Sequence, residues 1–375
     1  MLSYHRNNLQ IVDFAKQLDL KMIFYISIIS VIGFFLMYSA AQGSIFPWTV
    51  KQLIHFSVGF VLMLIVANIR PIFWYRTAYL FYFGALLLLV LVEVMGHTAM
   101  GATRWLQLGP IKLQPAELMK IAIIFALGRY FHNVHPHNIT RLSYILLPLS
   151  LVALPFILIL KQPDLGTAMI LLLISGIIFF AAGVAWWKFA TVFVSGIIAL
   201  PVLWTMMHDY QKQRILIFLN PEMDKLGAGY NIIQSEIAIG SGGFLGKGLL
   251  NGTQVQLSFL PEHQTDFIFT MLSEELGFVG SVTVITLYAA IIFRIFTMAL
   301  NSKNTFNRLL IVGVMSLFGL HVVINTSMVM GLIPVVGVPL PLLTYGGTIM
   351  LTTMFGFGLI FSANLYSNKF DRDVV

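Results

Sequence analysis

Ile170-Leu171-Leu172-Leu173-Ile174 lies at the centre of the stretch 165–183, which carries no charged residue from Leu165 to Gly183. A strand crossing a membrane alternates polar and apolar side chains over roughly 10 residues, and this run does not alternate. A helix needs about 20 mainly apolar residues to cross the hydrocarbon core, and the stretch has that length. The same reading, carried outward, predicts spans at 20–41, 50–69, 74–95, 116–132, 142–161, 165–183, 187–207, 267–295, 307–332 and 343–364. The expected fold class is all-α: a polytopic integral membrane protein of about ten transmembrane helices, with one long extracytoplasmic loop between helices 7 and 8.

Composition agrees. Of 375 residues, 58% are hydrophobic and 10% charged, and mean hydropathy is +0.88. A soluble domain carries roughly 25% charged residues. The net charge of +7 is spread over many loops rather than gathered in a patch, which excludes a nucleic-acid surface and fits the excess of Lys and Arg on the cytoplasmic side of membrane proteins. Arg70, Arg76, Arg129, Arg141, Lys188 and Arg294 fall on one side. The expected location is the bacterial cytoplasmic (inner) membrane, with both termini cytoplasmic and the long loop outside. The absence of cysteine excludes disulfides and thiolate metal sites. The first span is too long for a signal-peptide core and reads as a retained anchor. The domain division expected is a cytoplasmic tail at 1–19, one membrane domain at 20–366 with its long loop at 208–266, and a cytoplasmic tail at 367–375.

Inside the long loop, Ile232 to Ile239 has helical spacing, and Gly240-Ser241-Gly242-Gly243 should end that helix. Gly246-Lys247-Gly248 resembles the end of a phosphate-binding loop, but Ser241 and Gly248 replace required residues and no strand precedes it. The run Pro334 to Pro341 cannot be regular helix, because proline lacks the donor and clashes with the preceding turn. It is expected to be a loop buried against protein.

Charge at membrane depth costs ~2.5–3.5 kcal/mol on insertion scales, so each case asks for a partner or a task. Glu117 and Lys120, three apart, share a helix face; they form either a salt bridge or a pair lining a cavity. Arg104, Lys112 and Gln114 lie in a short outer loop where topology alone does not favour cations; they anchor the interface beside Trp105 or bind a diphosphate. Lys161 and Asp164 sit at a tight outer turn, with Asp164 placed to cap the next helix. In Glu262-His263-Gln264-Thr265-Asp266, two carboxylates flank a histidine where water-facing chain becomes membrane-facing chain. Asp266 can keep its charge there while partly desolvated, as a general base requires. The spacing matches no His-rich ligand set, and carboxylates alone would favour Mg²⁺ or Mn²⁺ only weakly.

At these residues the chain resembles the SEDS family (shape, elongation, division and sporulation). The motifs are Gly101-Ala-Thr-Arg-Trp, Gln114-Pro-Ala-Glu, Gln162-Pro-Asp-Leu-Gly-Thr-Ala, Leu226-Gly-Ala-Gly-Tyr-Asn-Ile-Ile-Gln-Ser, Phe259-Leu-Pro-Glu, Thr265-Asp-Phe-Ile-Phe, Glu274-Glu-Leu-Gly and Pro339-Leu-Pro-Leu-Leu-Thr-Tyr-Gly-Gly-Thr. They cover essentially the whole membrane region in order. Gly246-Lys-Gly and Gly252-Thr-Gln resemble the elongation branch more than the division branch. Gln264, Ala116 and Thr344 depart from the usual histidine and two serines.

The resemblance implies a peptidoglycan glycosyltransferase that polymerises lipid II outside the cytoplasmic membrane. It implies a class B penicillin-binding protein and the elongation machinery as partners. It makes Asp266 the catalytic residue, with Glu117, Lys120 and Asp164 in its polar cavity. Arg104, Lys112, Gln114, Lys161, Lys247, Glu262, His263 and Thr265 complete the expected substrate-binding set. The expected chemistry is an inverting displacement of polyprenyl diphosphate. The competing readings are a lipid II flippase, since transporters also bury charge, and a scaffold for the penicillin-binding protein.

Overall fold

The computed structural model describes residues 18–95, 97–99, 102–108, 111–207, 209–224, 227–253 and 264–367. The long helices are α1 (Leu20–Ala40), α2 (Trp48–Asn68), α3 (Pro71–Met95), α4 (Pro115–Asn133), α5 (Ser143–Lys161), α6 (Leu165–Ala182) and α7 (Trp186–Met206). Two shorter helices, α8 (Asp209–Leu219) and α9 (Ala228–Ser241), lie in the long loop. They precede α10 (Ile268–Asn301), α11 (Thr305–Val329) and α12 (Gly347–Leu365). Every expected span corresponds to one of these helices, with ends shifted by a few residues.

Eight of them are long and apolar enough to cross a membrane, and α7 contributes a shorter apolar stretch, Trp186–Val202. The remaining one, α4, carries Glu117, Lys120 and Arg129. It can nonetheless lie at membrane depth because most of its side chains are buried against protein. The segment before α4 adds a small antiparallel sheet to this helical fold, β1 (His97–Ala99), β2 (Ala102–Leu108) and β3 (Ile111–Leu113).

Helix α11 sits at the centre, packed on α4, α6, α10 and α12. Leu309, Leu310, Ile311, Met328 and Val329 have no exposed surface. Where apolar side chains face lipid they remain exposed in the isolated chain, as on α2, α3 and α7. Helix α9 forms where Ile232 to Ile239 predicts it and ends at Ser241, midway through the run Gly240 to Gly243. It is clamped rather than free on the surface: the buried Ser235 hydroxyl donates to Val329 O (2.7 Å) and shares a hydrogen bond with the Thr270 hydroxyl (2.6 Å).

One feature of α10 was not foreseen. Its 34 residues would span ~51 Å as a straight helix, against a hydrocarbon core of ~30 Å. Gly277, at φ 66° and ψ −160°, breaks it. The break frees backbone groups that a glycine-rich segment of the long loop takes up. Lys247 N donates to Glu274 O (3.0 Å) and Gly248 N to Glu275 O (2.9 Å), while Phe278 N donates to Gly243 O (2.9 Å) and Val279 N to Phe244 O (3.2 Å). Non-helical backbone survives at membrane depth only when protein satisfies it in this way.

A methyl on Gly277 would enter the van der Waals space of Gly246 N, in a backbone region that costs other residues ~1–3 kcal/mol. Gly277→Ala is therefore expected to lower the melting temperature of the purified protein in detergent. Melting indistinguishable from wild type would show that the break tolerates a side chain.

Candidate functional site

The site is built where α10 begins. Phe267, Ile268 and Phe269 are buried and anchor the helix start, and the three residues just before it are half-buried. Three successive carbonyls of that turn are each held by another element. Gln264 O accepts from Tyr345 N (3.0 Å). Thr265 O accepts from the Thr344 hydroxyl (3.2 Å). Asp266 O accepts from Asn325 Nδ2 (2.8 Å). The Asp266 side chain is half-buried, and its Oδ2 lies 3.3 Å from where a side chain on Gly337 would begin.

The run Pro334 to Leu340 is non-helical, as its prolines require; Val338 and Leu340 are buried, Gly337 is exposed and the rest are half-buried. Its middle carries neighbours from three elements. Gly166, at the start of α6, approaches so closely that a Cβ there would sit 2.8 Å from Val336 O. Arg214 of α8 donates from Nη1 to Val335 O (3.3 Å). Asn325 of α11 donates to Val338 O (2.7 Å). Gly337 has φ 72°, a conformation that glycine adopts without steric cost.

Asp164 is buried and caps α6. Its Oδ1 accepts from Thr167 N (3.2 Å), and its Oδ2 accepts from the Thr167 hydroxyl (3.0 Å) and from Gln114 Nε2 (3.3 Å). The capping alternative is therefore realised, and through Gln114 it ties the start of α6 to the start of α4. Because Gly166 meets Val336, and Gly337 meets Asp266, the capped end of α6 and the Asp266 turn adjoin the same short loop.

Deeper in the bundle, Lys120 Nζ donates to Glu117 Oε1 (2.7 Å) and contacts His321 Nε2 (3.1 Å). His321 Nδ1 lies 2.7 Å from Leu317 O. A carbonyl only accepts, so Nδ1 carries the proton and Nε2 offers its lone pair to the ammonium, which makes His321 the neutral tautomer. All three side chains are buried, and Glu117 and His321 line a small cavity with Pro341, Thr352 and Phe357. The salt-bridge reading of the Glu117–Lys120 pair is realised, whereas of the two only Glu117 lines the cavity.

The other expected site residues separate. Lys247 pairs with the buried Glu274 (2.7 Å), which also accepts from Thr253, so its charge is engaged beside the α10 break. Glu275 is bonded by Ser39, so the two glutamates take separate partners on different elements. Lys161 is exposed in the last turn of α5, where a cation is favoured by the helix dipole. Arg104 lies on β2, and Lys112 on β3 opposite Gln107. Glu262 and His263 lie outside the described residues, as do the N-terminal tail and most of the C-terminal one.

Sequence reasoning passed over Asn325, His321 and Arg214. For the first two a signal was available: two polar residues one turn apart inside an apolar span demand partners as much as Glu117 and Lys120 do.

The model of the cell cycle protein family that groups FtsW, RodA and SpoVE matches residues 18–369. The chain belongs to this family. Peptidoglycan glycosyltransferase MrdB of Escherichia coli K12 is 40% identical over 346 residues, covering 90% of this chain and 93% of MrdB. Among solved structures, a chain of a peptidoglycan synthase complex that coordinates polymerization and crosslinking has a TM-score of 0.83 at 30% identity, covering 94% of this chain and 98% of that one. The rod shape determining protein RodA of Thermus thermophilus has a TM-score of 0.71 at 27% identity, with the same coverage. As an FtsW/RodA/SpoVE family member the protein is a multi-pass membrane protein. The Thr344 position, where the resemblance led us to expect serine, still supplies a hydroxyl to the Asp266 turn.

Proposed function

We propose that the protein is a peptidoglycan glycosyltransferase that polymerises lipid II at the outer face of the bacterial inner membrane for cell elongation, with Asp266 as its base. The observation that carries the proposal is the turn at 264–266. Its backbone is held at three consecutive carbonyls, so the half-buried carboxylate is presented from a fixed backbone position. A catalytic base gains from such pre-organisation because its reach is set before substrate arrives.

The chemistry needs one base and positive charge rather than the two carboxylates of a glycosidase. The acceptor sugar's 4-hydroxyl gives its proton to Asp266 as its oxygen attacks the anomeric carbon of the donor. The bond from that carbon to the diphosphate breaks with inversion. The diphosphate departs as an anion needing charge neutralisation rather than protonation, for which Arg104 and Lys112 are the proposed donors. The Asp164-capped start of α6 shares the Gly337 loop with the base, and the Glu117–Lys120–His321 cluster supports the cavity behind it.

A divalent cation, Mg²⁺ or Mn²⁺, is the alternative source of that positive charge, and one carboxylate with the diphosphate oxygens would hold it. The partner we propose is a class B penicillin-binding protein, in keeping with the complex in which the structural relative was solved. Both termini are assigned to the cytoplasm on the loop charges.

The test is purified protein with lipid II in detergent, where no compartments exist. Glycan polymer is the expected product. Absence of polymer, with lipid II translocation by the same preparation in vesicles, would replace the enzyme by a flippase. A smaller probe of the same site is Gly337→Ala, which strains a φ of 72° and places a methyl 3.3 Å from Asp266 Oδ2. Displacing a reacting group by ~1 Å can cost ~10² in rate. Turnover should fall about tenfold by that scale, and wild-type turnover would show that the carboxylate does not act from this position.

A further inference from the structure

We infer that Asn325 and Thr344 are positioning residues that aim the Asp266 carboxylate by holding its backbone. The inference rests on the reading of Asp266 as the base and goes beyond it by naming what fixes that base.

Asn325 lies in the central helix α11 and is wholly buried. Its amide nitrogen has two hydrogens and two carbonyl partners, Asp266 O at 2.8 Å and Val338 O at 2.7 Å. Both partners only accept, so the nitrogen must face them. One side chain thereby ties the backbone of Asp266 to the residue after Gly337, against which the carboxylate lies. The two walls of the reacting position are fixed to each other through one amide.

Thr344 works from the other side. Its buried hydroxyl accepts from Leu340 N (2.8 Å) and donates to Thr265 O (3.2 Å), so it too links the proline loop to the turn. Behind it stands Gln52 of α2, wholly buried. Gln52 donates to Thr344 O (2.9 Å) and accepts from Gly346 N (3.4 Å). The loop's far end is thus fixed to a different helix from its near end, and the Asp266 turn is held between them. None of these contacts uses the carboxylate itself. Each acts on where the carboxylate points.

The experiment is steady-state lipid II polymerisation by the purified full chain in detergent, with melting curves for every variant. Thr344→Val keeps the shape and removes the hydroxyl; Thr344→Ser keeps the hydroxyl. Asn325→Leu keeps the approximate size and removes both donors. Asp266→Asn is run alongside. The expected result is a fall in kcat of about tenfold for Thr344→Val and up to ~10²-fold for Asn325→Leu, the scale of a misplaced reacting group. KM should stay within about twofold, because substrate binding is not the step these contacts serve. Thr344→Ser should restore most of kcat. A residue that merely stabilised the fold would lower the melting temperature and leave the kcat of the folded fraction unchanged.

Wild-type kcat in Thr344→Val while Asp266→Asn is inactive would overturn the inference and leave the base intact. Equal losses in Thr344→Ser and Thr344→Val would overturn it too. Wild-type polymerisation by Asp266→Asn would remove the base, and the inference with it. Should Asn325→Leu fail to fold, the two Thr344 variants decide.

Discussion

Asp266→Asn is expected to lower lipid II polymerisation by ~10²–10⁴, the usual cost of removing a general base, while leaving the protein folded and the detergent melting curve close to wild type. The substitution is nearly isosteric. The backbone carbonyls of Gln264, Thr265 and Asp266 that accept from Tyr345, Thr344 and Asn325 are unchanged by it. What is lost is the ability to take up a proton from the acceptor hydroxyl. Residual rate should persist, because the diphosphate is already a competent leaving group and the cations proposed to neutralise it, Arg104 and Lys112, are unchanged by the substitution.

Asp266→Glu sharpens the point. It keeps the acid but lengthens the arm by one methylene, in a position where Asp266 Oδ2 lies 3.3 Å from where a Cβ on Gly337 would sit. Its carboxylate must move away from where the aspartate's sits, so the loss should fall between those of Gly337→Ala and Asp266→Asn. Activity in Asp266→Asn equal to wild type would end the proposal that this carboxylate is the base. Cell-shape function retained by the same variant would favour a scaffold.

How much of this was legible in the chain depends on how local the cause was. The spans were, because a helix in lipid satisfies its own backbone and declares itself in about 20 consecutive residues. So was the non-helical run Pro334 to Leu340, since proline acts on its own turn. The position of Asp266 could be read from one boundary, where polar chain turns apolar. The break in α10 could not. Gly277 is visible in sequence, but the segment that satisfies the broken backbone, Gly243 to Gly248, is about thirty residues away and reads as loop. For the same reason Lys247 was expected among the substrate-binding residues, whereas folding sets it against Glu274. Asn325 and His321 announced only that they needed partners. Which partners they found was decided by how α11 packs against α4 and the proline loop.

Lys120→Met is expected to destabilise the protein by ~3–5 kcal/mol, the cost of leaving a buried charge without its partner. Glu117 and Lys120 are both buried, and the ammonium holds Glu117 Oε1 at 2.7 Å and His321 Nε2 at 3.1 Å. Without it, Glu117 keeps a carboxylate at membrane depth facing an imidazole whose only hydrogen is committed to Leu317 O. The double variant Glu117→Gln with Lys120→Met removes both charges, and much of the lost stability should return, because an apolar or neutral replacement of a buried pair is often close to neutral. Polymerisation by the double variant then separates the two tasks open to this pair. If the cluster only braces α4 against α11, activity should recover with stability. If Lys120 also meets the substrate's anionic group through the cavity beside Glu117 and His321, the double variant should melt near wild type and remain slow. Melting curves and lipid II turnover on the same samples distinguish these outcomes. A single Lys120→Met variant that melts like wild type would show that the bundle accommodates Glu117 without its partner.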